Sequence, residues 1–190
     1  MKLAALGIAA LALGGCGAQG TWMPLELGHT ATYQVRTGFV SYVEPIRVAH
    51  VLSVAGVRGA ELNGPMGPTR LAWKGGELVA ASMANAHVDP PIPLLTPDDL
   101  ALTRQWKGTL TFAGVRENAT AVLAQRRAGL VLGGRNYRTV RATLTLDTPA
   151  RQVQLVSDYA QGIGLVRQEQ RTNGRFDLAL ELLAGSSREL

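Results

Sequence analysis

The chain has 190 residues, a formal net charge of +5, 46% hydrophobic residues and only 5% aromatic residues. Its single cysteine excludes an intramolecular disulfide, so the folded body must be held together by packing. The basic residues form no run except Arg126-Arg127 and do not alternate with aromatic residues, which argues against nucleic acid as a partner.

The first segment resembles an export signal that ends in a lipidation site. Met1 and Lys2 precede an apolar run, Leu3 to Leu13, which is far shorter than the roughly 20 residues of a membrane-spanning helix but fits a signal peptide. Leu13-Gly14-Gly15-Cys16 is similar to the lipobox of bacterial lipoproteins. The resemblance implies cleavage between Gly15 and Cys16 and attachment of diacylglycerol to Cys16. An ordinary secretory peptide that is cut nearby is the alternative.

Lipidation of Cys16 implies a protein tethered to a membrane in the cell envelope, because about two acyl chains suffice for stable anchoring. Gly17, rather than Asp, follows the cysteine. Within the resemblance to bacterial lipoproteins, this implies the outer membrane, facing the periplasm or the exterior. We expect a signal peptide over 1–15, a lipidated tether over 16–21, a single β domain over 22–184 and a polar tail over 185–190. The expected partners are the membrane, through the lipid on Cys16, and a hydrophobic ligand or an envelope protein; the oligomeric state stays open.

Alternation of apolar and polar residues predicts strands along most of the domain. Glycine-bearing turns separate the strands, and Asn173-Gly174 is the one most typical of a type I′ hairpin turn. The other predicted turns are Lys74–Gly76, Ala113-Gly114, Arg127–Gly129 and Gly133-Gly134. The predicted fold is mainly β, a single antiparallel, strongly curved sheet or half-open barrel of about nine to eleven strands. The strand segments are 31–36, 46–54, 70–73, 77–82, 109–112, 118–125, 139–147, 152–157, 165–171 and 175–182.

One region breaks the alternation. His87 to Thr96 contains three prolines, which cannot donate to a strand ladder, so we predict a connection across an edge of the sheet. Thr96-Pro97-Asp98-Asp99 has the cap, the proline and the early acidic residues of a helix start. The sequence therefore predicts one short helix here, with Trp106 available for burial.

Three separated stretches resemble a set of uncharacterised bacterial envelope lipoproteins. They are Trp22 to Tyr33, then Ile92 to Leu95 with Trp106-Lys107-Gly108, and finally Asp158 to Arg167. The chain departs from the pattern at Ala31, where Trp is usual, and at Gln161, where Pro is common. The resemblance implies a long, curved antiparallel sheet, related in general shape to envelope carriers that hold an acyl chain against a concave face.

The candidate site residues fall into a turn and a groove. Gly162 and Gly164 flank Ile163 and predict a tight turn or bulge that returns the chain to the sheet. Arg167 stands where a dinucleotide fingerprint needs its third glycine, which excludes that reading. His50 is in phase with the apolar residues of its strand, so we expect it to be partly buried or at a cavity lip. The candidate groove residues are Trp22, Tyr33, His50, Trp106 and Tyr159.

Catalytic signatures are weak. His29, His50 and His87 lack metal-ligand spacing, and His87-Val88-Asp89 offers at most two of the ligands that zinc needs. We therefore expect no enzyme activity, no metal and no cofactor. Three interpretations stay open: a non-catalytic lipid-anchored binding or scaffolding module, a carrier of lipid or lipoprotein acyl chains in an apolar concavity, and an unrecognised envelope enzyme. The enzyme would need convergence among His50, His87, Asp89 and Glu117.

Overall fold

A closed antiparallel β-barrel forms the body of the molecule in the computed structural model, which describes residues 22–101 and 103–188. Each strand pairs with its neighbours in sequence, and the last strand pairs with the first, so the sheet has no free edge. The twelve strands of this described part are β1 His29–Thr37, β2 Val40–Val54, β3 Val57–Asn63, β4 Thr69–Lys74, β5 Glu77–Met83, β6 Ala86–Leu95, β7 Arg104–Phe112, β8 Val115–Leu132, β9 Arg135–Asp147, β10 Gln152–Ala160, β11 Gly164–Thr172 and β12 Arg175–Arg188.

The mainly β, antiparallel character predicted from alternation is confirmed, and the sheet closes fully rather than staying half open. Each predicted strand segment lies within an observed strand, and β3 and β6 are the two strands without a predicted counterpart. β12 runs to Arg188, into the segment assigned to a polar tail. Cys16, the signal peptide and the tether lie outside the described residues.

The predicted short helix is wrong. β6 runs to Leu95 and β7 begins at Arg104, and the described residues between them form turns and bends instead. The side chain of Gln125 hydrogen-bonds to both backbone groups of Thr96. Thr96 N donates to Gln125 Oε1 at 2.7 Å, and Gln125 Nε2 donates to the Thr96 carbonyl oxygen at 3.4 Å. Thr96 is therefore fixed against the barrel wall rather than capping a helix.

The proline-rich connection predicted over His87 to Thr96 is also wrong, because its residues up to Leu95 lie in β6. The β6–β7 ladder covers only His87 to Asp89, so Pro90 and Pro91 fall where no donor to β7 is required. The Asp89–Pro90 peptide bond is cis. Trp106 Nε1 donates to the freed Pro90 carbonyl at 3.0 Å. A Cβ at Gly108 would lie 2.5 Å from Cζ2 of this indole, so glycine makes room for it.

The turn predictions at Asn173-Gly174 and at Arg127–Gly129 have opposite outcomes. Asn173 and Gly174 have φ values of +51° and +77°, which confirms the predicted turn with two left-handed residues. The turn predicted at Arg127–Gly129 is wrong, because the β8–β9 ladder continues without interruption through it to Leu132. The reversal occurs at Gly133-Gly134, where both φ values are positive, which confirms the turn predicted there.

The two ends of the barrel differ in what closes them. We call the end where β1 begins the entry end, and the end where β1 turns into β2 the far end. Because the strands alternate in direction, the β1–β2, β3–β4, β5–β6, β7–β8, β9–β10 and β11–β12 connections all lie at the far end. The segment before β1 packs Trp22, Met23 and Leu25 against the core at the entry end.

The buried core lies inside the barrel, with Leu78, Ile92, Leu95 and Leu123 fully enclosed. Every hydrophobic residue that is buried in the described ranges belongs to the segment from Ala31 to Leu182, so a fragment beginning at residue 22 contains the whole described core and all the described strands. Among the described residues, no helix has the length and apolarity that a bilayer-spanning helix requires.

A second, smaller cluster of Val54, Ala72 and Val79 packs apart from the main core. Gly59 makes it possible, since a Cβ at this position would lie 2.8 Å from Val54 Cβ and would also press on the Leu71 carbonyl oxygen. Glycine here provides close approach between strands rather than an unusual φ.

Replacing Gly59 with alanine is expected to destabilise the fragment 22–190 by about 1–3 kcal/mol, because the added methyl must push back a neighbouring backbone. Gly129→Ala in β8 is the matched control, since nothing lies within 4 Å of its added Cβ. Thermal unfolding followed by circular dichroism measures both. Equal melting temperatures for the two variants would show that the close approach at Gly59 is not a constraint.

Candidate functional site

An apolar cavity of about 140 Å³ lies inside the barrel. Its lining residues that the structure describes come from the segment before β1, from β1–β6 with their connections and from β9–β12, and none from β7 or β8. On the β7–β8 side Trp106, Leu110 and Leu123 fill the middle of the interior. A second, more open space of about 250 Å³ lies at the far end of these two strands, beside Leu110, Glu117 and Arg151. The barrel interior is therefore divided into a packed part and an empty part.

Small side chains on β9 and β10 account for the empty part. Ala142 pairs with Ser157 across the β9–β10 ladder, and Ser157 pairs with Gln168 on β11, so two small residues stand side by side in the wall. Both Ala142 and Ser157 line the cavity. Interiors are normally packed as densely as organic crystals, so a space of this size requires that no larger side chain reaches it.

The entry end of the cavity is closed by the segment before β1. Met23 lines the cavity, and its carbonyl oxygen accepts a hydrogen bond from Trp73 Nε1 at 3.1 Å. Pro24 packs on Gly164, where a Cβ would lie 3.1 Å from Pro24 Cδ. Gly162 and Gly164, with φ values of +78° and +105°, form the β10–β11 turn that carries this contact. Two of the three stretches singled out in the sequence thus meet here.

Two buried tyrosines stand in the cavity wall. The Tyr33 hydroxyl donates to the Leu165 carbonyl oxygen at 2.7 Å, across 132 residues of sequence. Burial raises the pKa of Tyr159 to about 12, and the Ser157 hydroxyl, which hydrogen-bonds to it, lowers that pKa in part. Burial, and then the charge that Tyr159 would carry, also raise the pKa of Tyr33. Both phenols therefore stay neutral at physiological pH.

A largely buried ion pair on the outward face of the sheet links β9 to β10, the strand that carries Tyr159. Asp158, which is 1% exposed, accepts two hydrogen bonds from Arg141 at 2.9 Å each and a third from Thr139 at 3.3 Å. The hydrogen bond to Asp158 raises the pKa of Arg141. Asp158 and Tyr159 are consecutive in β10, so strand alternation turns the carboxylate outward and the phenol inward.

The cavity reaches the surface at the far end. The β3–β4 loop contributes Pro65 and Met66, and Met66 is 39% exposed. Gln168 and Gln170 line the same space and are half-buried. Among the lining residues of the described chain there is no Asp, Glu, Lys, Arg or His. The site is an apolar pocket with neutral polar groups and an opening at one end, which suits an uncharged, apolar ligand group.

The candidate groove residues separate in the structure. Tyr33 and Tyr159 line the cavity, whereas Trp106 is buried on the packed side and Trp22 packs half-buried at the entry end. The expectation that His50 is partly buried is wrong, because a bulge between Val48 and His50 reverses the facing of the strand and leaves His50 exposed.

The residues proposed for an enzyme do not converge. His87 and Asp89 are exposed, on the opposite face of the sheet from buried Val88, while Glu117 pairs with inward-facing Leu110. His50 lies on β2, away from these strands in the barrel order. Within the described ranges, no three His, Cys, Asp or Glu side chains group closely enough to hold a metal ion.

Several cavity residues were missed from the sequence: Met23, Ala142, Ser157 and Gln168. Alternation identified Ala142 as an inward position, but no sequence signal shows whether the side chains across a barrel interior meet. Tyr33 and Tyr159 were found because aromatic residues are scarce in this chain.

Comparison with one solved structure shows a shared fold, and two further structures give lower similarity. A protein of Parabacteroides distasonis ATCC 8503 described as a lipoprotein superposes with a TM-score of 0.52 at 13% identity, covering 85% of this chain and 96% of its own. An exported protein with a YmcC-like fold from Bacteroides fragilis NCTC 9343 gives 0.49 at 14% identity, covering 85% and 97%. The hypothetical lipoprotein YmcC from Escherichia coli K12 gives 0.43 at 12% identity, covering 84% and 88%. No protein-family model and no curated protein matches the sequence.

The free energy of unfolding is expected to fall as the pH rises from 10 to about 12, because the unfolded Tyr159 phenol ionises at its ordinary pKa of 10 while the folded one stays protonated. Tyr159→Phe removes one such group, so its unfolding free energy should decline less steeply over this range, by about 2–3 kcal/mol. Urea unfolding at pH 9, 11 and 12 measures the decline, with Tyr42→Phe as the exposed control. Identical declines in wild type and Tyr159→Phe would contradict the burial of this phenol.

Proposed function

We propose that this chain is a non-catalytic envelope lipoprotein, held at a membrane surface through lipid on Cys16, whose barrel binds an acyl chain or a similar apolar group in its cavity. The observation that carries the proposal is the open apolar cavity of about 140 Å³ between the β9–β12 wall and β1–β6.

The size of the cavity supports a partial rather than a complete enclosure of the ligand. A dry protein cavity of roughly 150 Å³ holds a molecule as large as benzene, so about six carbon atoms fit here. Burying that many methylene groups contributes on the order of 5 kcal/mol, which corresponds to a Kd on the order of 0.1–1 mM before other contacts are counted. The rest of a longer chain, with its polar head, would leave through the opening at the far end.

The chemistry of the lining supports an apolar group rather than a reacting substrate. The Tyr33 hydroxyl is engaged with a backbone carbonyl, and burial keeps both phenols protonated. The described lining offers no charged side chain that could act as a general acid or base near neutral pH. Binding without chemistry is the function that these groups can perform.

Lipid attachment rests on the Leu13-Gly14-Gly15-Cys16 motif. The chain has one cysteine, so incorporated label can be assigned to it without ambiguity. Growth with labelled palmitate is expected to label the full chain and to leave Cys16→Ser unlabelled. An unlabelled wild-type protein would remove the anchor from the proposal.

Ala142→Phe is expected to abolish binding of the fluorescent fatty acid cis-parinaric acid by fragment 22–190, because the added ring enters the cavity. The melting temperature should change little, since the ring fills existing space. Ala124→Phe, an exposed position on β8, is the matched control and should bind like wild type. Fluorescence titration measures both.

Two results would overturn apolar binding in the cavity. Either wild-type fragment fails to bind the probe, or Ala142→Phe binds it as well as Ala124→Phe does. In the second case the probe would be held on the outer surface.

A further inference from the structure

Exposed apolar side chains are concentrated at the far end of the barrel, around the opening of the cavity. Phe39 at the tip of the β1–β2 hairpin is fully exposed, Val115 of the β7–β8 hairpin is 61% exposed, and Phe112 beside it is 42% exposed. Val40 and Val43 of the β1–β2 hairpin and Met66 of the β3–β4 loop are exposed as well. At the entry end the exposed large apolar residues are more dispersed, with Leu27 before β1 and Val131 on the β8–β9 hairpin.

The tips stand on opposite sides of the barrel. In the closed strand order, the β1–β2 and β7–β8 hairpins are separated by half of the circumference, yet both lie at the far end. A surface that touches both tips at once must be broad and flat. Single apolar side chains on separate tips need no complementary pockets if the medium that they enter is fluid.

Charge at the far end favours an anionic partner. Within two residues of the far-end connections, the described chain has six arginines, Arg36, Arg70, Arg116, Arg151, Arg171 and Arg175, against four carboxylates, Glu61, Glu117, Asp147 and Asp177. Around the entry-end connections, positive and negative residues balance. They are Arg58, Lys74, Arg104 and Arg135 against Glu77, Asp98, Asp99 and Asp158.

The far-end carboxylates are engaged or turned inward. Glu61 forms an ion pair with Arg70 at 2.8 Å, and Asp147 accepts a hydrogen bond from Gln152. Arg171 is engaged as well, in an ion pair with Glu169 at 2.7 Å, so Arg36, Arg116, Arg151 and Arg175 carry the positive charge of this end. Glu117 lies opposite inward-facing Leu110 in the β7–β8 ladder, so its side chain points toward the interior. Asp177 accepts hydrogen bonds from Thr172 and Gln170.

Two of these arginines lie beside aromatic rings. The Arg151 guanidinium is 5.1 Å from the centroid of the Phe112 ring, and Arg36 is 5.7 Å from that of Phe176. Arginine beside an apolar ring presents a charge to head groups while its stem and the ring enter the apolar layer.

We propose that the far end is a docking surface for an anionic phospholipid bilayer, with Phe39, Val115 and Phe112 entering the interface and the arginines facing the head groups. This surface goes beyond the proposed function, because vesicle binding does not require an occupied cavity. It would also place the cavity opening at the bilayer, where an acyl chain can enter without crossing water. Residue 22 lies at the entry end, so the docked bilayer would be at the opposite end of the barrel from residue 22.

Cosedimentation of fragment 22–190 with vesicles tests the proposal, since this fragment lacks Cys16 and its lipid. Binding to vesicles containing phosphatidylglycerol should exceed binding to pure phosphatidylcholine and should weaken at high salt. The double variant Phe39→Ser, Phe112→Ser should lower the partition coefficient by about tenfold or more. Val131→Ser, a comparably exposed residue at the entry end, should leave it unchanged.

Different variants test bilayer docking and binding in the cavity independently. Ala142→Phe should lose the fatty acid probe but keep vesicle binding, and the double tip variant should keep the probe. The docking proposal is overturned if the folded fragment binds neither vesicle, if Val131→Ser weakens binding as much as the tip variant does, or if blocking the cavity alone abolishes sedimentation. Absence of any vesicle binding would point to a protein surface as the occupant of the far end.

Discussion

Closure of the sheet by pairing of β1 with β12 is the constraint on which the rest of the structure depends. It removes both edges, and it sets the width of the interior by the number of strands rather than by the volume of the side chains. About eight strands enclose a space that side chains can just fill, and the diameter grows with each added strand. This barrel has twelve strands, while many of its inward residues are alanine, valine and leucine. An interior of this width filled by residues of this size is not packed everywhere.

The unfilled space lies beside the packed side of the interior and is open to the outside at the far end. Trp106, Leu110 and Leu123 pack one side of the interior, and the segment before β1 closes the entry end. The remaining space is bounded by Ala142 and Ser157 and opens at the far end. The hydrogen bond from Tyr33 to Leu165 ties β1 to β11 beside it, so the wall is fixed even though the space is empty. A cavity with a rigid, apolar, uncharged wall has little ordering cost when an apolar chain enters it, which favours the proposed binding of such a chain.

Much of the barrel could be predicted from the sequence because alternation of apolar and polar residues is a direct consequence of strand geometry. β3 was missed because Gly59 interrupts its apolar pattern, and glycine is there for close approach to Val54. β6 was missed because prolines usually end strands, but its ladder to β7 is short enough to tolerate them. The helix failed because Gln125, distant in sequence, holds Thr96. Tyr33 and Tyr159 could be found as rare aromatic residues, whereas the emptiness beside Ala142 depends on side chains that do not meet across the barrel, which a linear pattern does not encode.

The central claim is that the space beside Ala142 receives an apolar chain. Nuclear Overhauser effects between decanoate and methyl-labelled fragment 22–190 test it most directly, because they report contact with individual leucines. The account predicts contacts from the alkyl protons to Leu155 and Leu178, which line the cavity, and none to Leu110 or Leu123 on the packed side. Contacts confined to exposed residues such as Val131, or no contacts at concentrations above 1 mM, roughly the weakest affinity that the buried methylenes allow, would contradict it.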